Sequence, residues 1–240
     1  MLFLLAPILL VQARRMARDT PRLEPASGDE QGVTGGTDPE FTVVVIGEST
    51  AVGVGAAEHA EALPGYIAEE LAERLHRCVG WAVGGESGAS ARRVARKIVP
   101  ALDPPFPDLV VATVGINDLT RMRRLPQWAD DVTHLIATLH LRYPRAMVVI
   151  AGMPPVHRFP AIPQPLRSVL GARARTMDRI TREVARANGA VHVPMDEEMA
   201  RDRRLFAADG FHPSADGYRA WAKDLAEAVP PRMEYRPAAR

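Results

Sequence analysis

Five short apolar runs recur along the chain: Thr42–Ile46, Cys78–Val83, Leu109–Val114, Met147–Ala151 and Val191–Val193. Each is continuous rather than alternating and rich in β-branched residues, as strands are when both of their faces are covered. Between them apolar residues fall at helical spacing. Ile67, Leu71 and Leu75 share one face behind Pro64, which suits a first helical position. Arg92–Val99 reads as a helix stopped by Pro100. Trp128, Val132, Leu135, Ile136 and Leu139 mark a further amphipathic helix. Leu170, Met177, Ile180 and Val184 mark a long one ending near Asn188-Gly189, and Trp221, Leu225 and Ala228 mark the last, closed by Pro230-Pro231. This alternation predicts an α/β fold of three layers, a mostly parallel five-stranded sheet between helices, with right-handed crossovers. In such sheets chemistry sits beyond the carboxyl ends of the strands.

The two ends of the chain break the pattern. Residues 1–11 are almost wholly apolar, yet as a helix they reach only about 15 Å against a hydrocarbon core of about 30 Å. Arg14, Arg15 and Arg18 follow the run; no basic region precedes it and no small-residue cleavage site follows, which argues against a secretory signal. Basic residues after the run favour a domain kept on the cytoplasmic side. Residues 1–18 then read either as a frayed apolar arm or as a peripheral membrane contact. Residues 19–40, with Pro21, Pro25, Gly28, Gly32, Gly35, Gly36 and Pro39, read as a flexible linker. The folded domain is expected over 41–229, followed by a tail at 230–240.

Composition narrows the partners. With 47% hydrophobic and 25% charged residues, the 240-residue chain can bury a core without staples. Net charge is +1 and the arginines are mixed with acids, so nucleic acid is set aside. The single cysteine, Cys78, excludes an internal disulfide, does not support a structural zinc site, and reads as a small buried hydrophobe. No metal-ligand spacing appears, and Gly53-Val54-Gly55 lacks the rest of a dinucleotide motif, so no cofactor is expected.

Four polar segments lie at strand ends or on loops. Gly47-Glu48-Ser49-Thr50 follows the first strand, Gly84-Gly85-Glu86-Ser87-Gly88-Ala89-Ser90 the second and Gly115-Ile116-Asn117-Asp118 the third, while Asp209-Gly210-Phe211-His212-Pro213 precedes the last helix. A serine hydroxyl needs a base to become a nucleophile, and an imidazole suits that task near neutral pH. Asp209, three residues before His212, could fix the ring's tautomer. The oxyanion of a tetrahedral intermediate needs preorganised donors, and the Ser49 N–H, the Gly88 N–H and the Asn117 amide are candidates. Taken singly, Ser49 could merely cap a helix and Asn117-Asp118 or Asp209-Gly210 could be plain turns. Their joint occurrence favours catalysis.

These four segments, in this order across residues 41–228, resemble the SGNH, or GDSL-type, serine hydrolase family. The resemblance implies a flavodoxin-like SGNH fold, an ester hydrolase of esterase or lipase type, and the catalytic set Ser49, Asp209 and His212 with a hole of Ser49, Gly88 and Asn117. Gly88 is preferred over Gly84 and Gly85 because Ser87-Gly88-Ala89-Ser90 resembles the family's Ser-Gly-Ala-Thr. One departure stands beside the nucleophile: the usual Gly-Asp-Ser reads Gly47-Glu48-Ser49. Asp118 is expected to be structural, holding the Asn117 loop. The expected substrate is a small-molecule ester. The same chemistry could serve a deacetylase or acyltransferase acting on sugars or lipid headgroups, and a non-catalytic α/β binding module is the rival from another class.

Residues 152–168 form a long proline-rich loop after the fourth strand, and loops of this length are often functional. Met153, Val156 and Phe159 are candidates for an acyl-chain wall, His157 for a substrate contact, and a stiff crossover packed on its own side chains is the alternative. His59, His76, His134 and His140 are expected to be solvated.

Overall fold

The computed structural model describes residues 2–102 and 106–231. Part of the proline turn before the third predicted strand, and most of the tail at 230–240, lie outside the described residues. Six strands form one sheet in the order β1-β3-β2-β4-β5-β6. β2 (Phe41–Gly47), β3 (Val79–Gly85), β4 (Leu109–Thr113), β5 (Met147–Ala151) and β6 (Val191–Val193) pair in parallel, as their continuous apolar runs predict. In β2 the side chains of Val43, Val44, Val45 and Ile46 are all fully buried, so neither face meets water.

β1 (Gln31–Thr34) corrects the expectation of five strands and of a flexible linker at 19–40. It pairs antiparallel with β3, Gln31 opposite Ala82 and Thr34 opposite Val79. The preceding turn is also anchored, since Ala26 is buried and donates its N–H to Val52 O at 3.0 Å.

Helices cover both faces. One layer contains α3 (Ala91–Arg93), a π-helical turn at Val94–Ile98, α4 (Val99–Ala101), α6 (Leu125–Arg142) and α7 (Leu166–Ala187). Pro100 has no N–H to return to the turn before it, which accounts for the widened turn there. Trp128, Val132, Leu135, Ile136 and Leu139 of α6 lie fully buried against the sheet, each stabilising by about 1.5–3 kcal/mol at most. The other layer contains α2 (Leu63–Leu75) and α8 (Ala215–Glu227), with Ile67, Leu71, Trp221 and Leu225 turned inward.

The N-terminal segment forms a helix, α1 (Leu2–Asp19), docked rather than frayed. Leu9, Ala13 and Met16 pack on the α6–α7 side, and the Gln12 amide donates to Gln164 O at 2.5 Å and accepts from Leu166 N–H at 3.1 Å. Among the described residues no helix is long and apolar enough to cross a membrane. Two minor expectations also change. Cys78 is half-buried rather than buried, and His59 is buried rather than solvated.

Candidate active site

β2 ends in a turn that only glycine can make. Gly47 has φ +150°, and a Cβ there would lie 2.1 Å from Thr113 O. The chain therefore leaves the sheet sharply and sets Glu48 and Ser49, both buried, over the carboxyl ends of β2 and β4. The turn is braced from within by Val54 N–H on Ser49 O at 3.0 Å. It is braced from α8 by the buried Tyr218 hydroxyl, which donates to Val54 O at 2.7 Å.

The loop before α8 brings the base. His212 Nε2 lies 3.0 Å from Ser49 Oγ, and His212 Nδ1 lies 2.5 Å from Asp209 Oδ2. A carboxylate only accepts, so Nδ1 carries the proton and Nε2 is left to accept the serine's. Asp209 Oδ1 accepts the backbone N–H groups of Phe211 at 2.9 Å and His212 at 3.0 Å. Burial works against the Asp209 charge, but the bonds from His212 and these two N–H groups outweigh it and hold its carboxyl below the usual range. The loop thus contains its own support for the imidazole.

The oxyanion candidates converge from two further strand ends. Gly84 and Gly85 lie inside β3, where an added Cβ would strike Leu102 or Val52. Gly88 lies beyond the strand at φ +83°, and a Cβ there would face open space with only the end of Arg121 nearby. Asn117 sits in α5 (Ile116–Thr120), a short helix where a loop was expected. Asp118 next to it accepts the Ala91 N–H at 2.9 Å, and Arg121 Nη2 donates to Gly88 O at 2.8 Å. Asp118 therefore ties the Asn117 segment to the Gly88 segment, a structural role of the expected kind. Burial pushes its carboxyl up.

The Glu48 carboxylate accepts three hydrogen bonds. Its Oε1 accepts Ile116 N–H at 2.9 Å, and its Oε2 accepts Asn117 N–H at 3.1 Å together with the Asn117 side-chain amide. Burial raises its carboxyl to about 7 against the pull of those three donors.

An apolar pocket opens beside Ser49 and His212. Its wall comes mainly from a segment that carries no periodic signal, residues 195–213, through Met195, Met199, Leu205, Phe206 and Phe211. Of the candidates on the 152–168 loop, Phe159 lines it; its ring meets Phe206 and Phe211 edge-on at 5.4 and 5.3 Å. Met153 and Val156 turn into the core, and His157 packs against Gly171 with Nε2 3.7 Å from Glu197. Those three do not line the pocket, which corrects their assignment as substrate contacts. Among the described residues no cluster of His, Cys, Asp or Glu could hold a metal ion.

A serine, a histidine and an aspartate joined in one hydrogen-bonded relay beyond the carboxyl ends of a three-layer α/β/α sheet is the arrangement that serine hydrolases use. Residues 45–220 match the model of the GDSL-like lipase/acylhydrolase family, and the chain belongs to that family. It is 33% identical over 191 residues to a GDSL-like esterase of Mycobacterium tuberculosis, an alignment that covers 76% of this chain and 59% of that protein. Solved structures share the fold. A lipase from a goat rumen metagenome superposes with a TM-score of 0.64 at 19% identity, over 81% of this chain and 100% of its own. The esterase EstA from Pseudoalteromonas does so at 0.62 and 15%, over 78% and 95%.

Proposed function

We propose that the chain hydrolyses carboxylic esters with an apolar acyl group through an acyl-enzyme on Ser49. The observation that carries this reading is the unbroken relay of Ser49 Oγ, His212 and Asp209, at 3.0 and 2.5 Å, opening on an apolar pocket. The Ser49 hydroxyl gives its proton to His212 Nε2 as Oγ bonds to the carbonyl carbon, and the carbonyl electrons move onto oxygen. Asn117 Nδ2 and the N–H groups of Ser49 and Gly88 are the donors that receive that charge. When the intermediate collapses, the carbon–alkoxide bond breaks and His212 returns its proton to the leaving alcohol. Water then repeats the sequence on the acyl-enzyme and releases the acid.

Ser49→Ala is expected to abolish turnover of a p-nitrophenyl ester and labelling by a fluorophosphonate, while the fold is kept. Turnover retained by this variant would end the proposal. A product assay with competing alcohols separates hydrolysis from acyl transfer at the same serine.

A further inference from the structure

We propose that Glu48 is a positioning residue for catalysis, a buried carboxylate that aims the Asn117 amide at the oxyanion. The proposal rests on the ester-hydrolase reading of this site. Three observations lead to it. First, Glu48 is only 4% exposed and grips α5 at its first turn through Ile116 N–H, Asn117 N–H and the Asn117 side-chain amide. Second, an Asn amide has two N–H groups on one side and an acceptor on the other. A carboxylate that accepts one of those N–H groups leaves the other to point outward, and it excludes the flipped amide, whose oxygen would meet the carboxylate. Third, Glu48 precedes Ser49 on the same turn, and its own N–H bonds to Thr113 O at 3.1 Å. Nucleophile and oxyanion donor are thus fixed to each other through one residue.

This grip needs the ionised form. A protonated Glu48 keeps one good acceptor oxygen and turns a donor toward a segment that offers it donors. Asp118, the charged group that acts on Glu48 from α5, pushes in the same direction as burial, toward the proton; Asn117 and Thr113, hydrogen-bonded to Glu48, are neutral. With its carboxyl raised to about 7, the positioning should strengthen as pH rises through that value.

A double-mutant cycle with Asn117→Ala, read as kcat and KM on a p-nitrophenyl ester, tests the assignment. Glu48→Gln removes the charge and places an amide where the donors point. At about pH 8 it should lower kcat on the order of 10–100-fold with KM within about twofold, less than the 100–1000-fold typical of losing a whole oxyanion donor. In the Asn117→Ala background the same change should cost less than about twofold, because the group it positions is gone. The wild-type to Glu48→Gln ratio of kcat should rise through about pH 7. Glu48→Asp, charged but shorter, carries the same cycle if the Gln variant does not fold. Fully additive losses, or a ratio flat across pH, overturn the proposal. If Ser49→Ala is inactive while the cycle is additive, only the Glu48 assignment fails; if Ser49→Ala is active, the underlying reading fails first.

Discussion

The burial of Glu48 has a thermodynamic signature that unfolding alone can read. Its carboxyl moves from an ordinary 4.5 to about 7 on folding, with burial the dominant cause. Between those values the native protein holds a proton that the unfolded chain has released, so stability falls as pH rises through the window. A shift of this size corresponds to about 3 kcal/mol, a large part of the roughly 5–15 kcal/mol that a domain commonly has. Glu48→Gln stays neutral at every pH and has no such dependence. Urea unfolding of both proteins at several pH values from about 5 to 8 gives the difference in stability at each. Other titrating groups contribute equally to both and drop out. The Gln variant should gain on the wild type by about 3 kcal/mol across the window, whatever constant offset the substitution introduces. A difference that does not change with pH would mean that Glu48 is already ionised in the native state near pH 5. The desolvation argument would then be wrong.

Two further outcomes follow from the relay and the pocket. Asp209→Asn removes the acceptor that holds the imidazole tautomer, and kcat should fall on the order of 1000–10,000-fold with the fold intact; a loss under about tenfold in steady-state assays would refute its role. Phe206→Ala removes one ring of the edge-packed trio at the pocket wall. Each methylene admitted to the new space should gain about 0.8 kcal/mol, or roughly fourfold in kcat/KM. A p-nitrophenyl ester series should therefore shift its optimum to longer acyl chains, and an unchanged profile would refute the pocket's role.

The parallel strands were legible in sequence because burial on both faces leaves no polar positions in them, as in Val43–Ile46. Ser49, Asn117, Asp209 and His212 were legible as candidates because each lies just beyond a strand or just before the last helix, where such a sheet places its chemistry, and the structure brings Ser49, Asp209 and His212 into one relay. β1 was not legible. Gln31-Gly32-Val33-Thr34 is four residues long with a glycine inside, and its strand character comes from pairing with β3, not from local preference. The 195–213 wall was missed because Met195, Met199, Leu205 and Phe206 obey no period; they are apolar residues of short turns that happen to face one hollow. On the 152–168 loop the sequence left a wall and a packed crossover equally open, and Met153, Val156, Ile162 and Leu166 face the core cluster beneath them. Composition does not tell inward from outward in a segment whose apolar residues follow no period.

The added strand β1 also bears on where the domain starts. Without it, β3 would present the backbone of Val79–Gly85 along an uncovered sheet margin, a ready template for a second chain. β1 closes that margin in the antiparallel sense. Gly32 lies flat over the Trp81 indole, where a Cβ would come within 2.5 Å of the ring. A recombinant fragment begun at Phe41, the boundary that the hydrophobic pattern suggests, would keep every catalytic candidate and still expose both the indole and the margin. Such a fragment would be prone to self-association for reasons unrelated to its active site, and residues 26–40 belong in any version of the domain meant to stay monomeric.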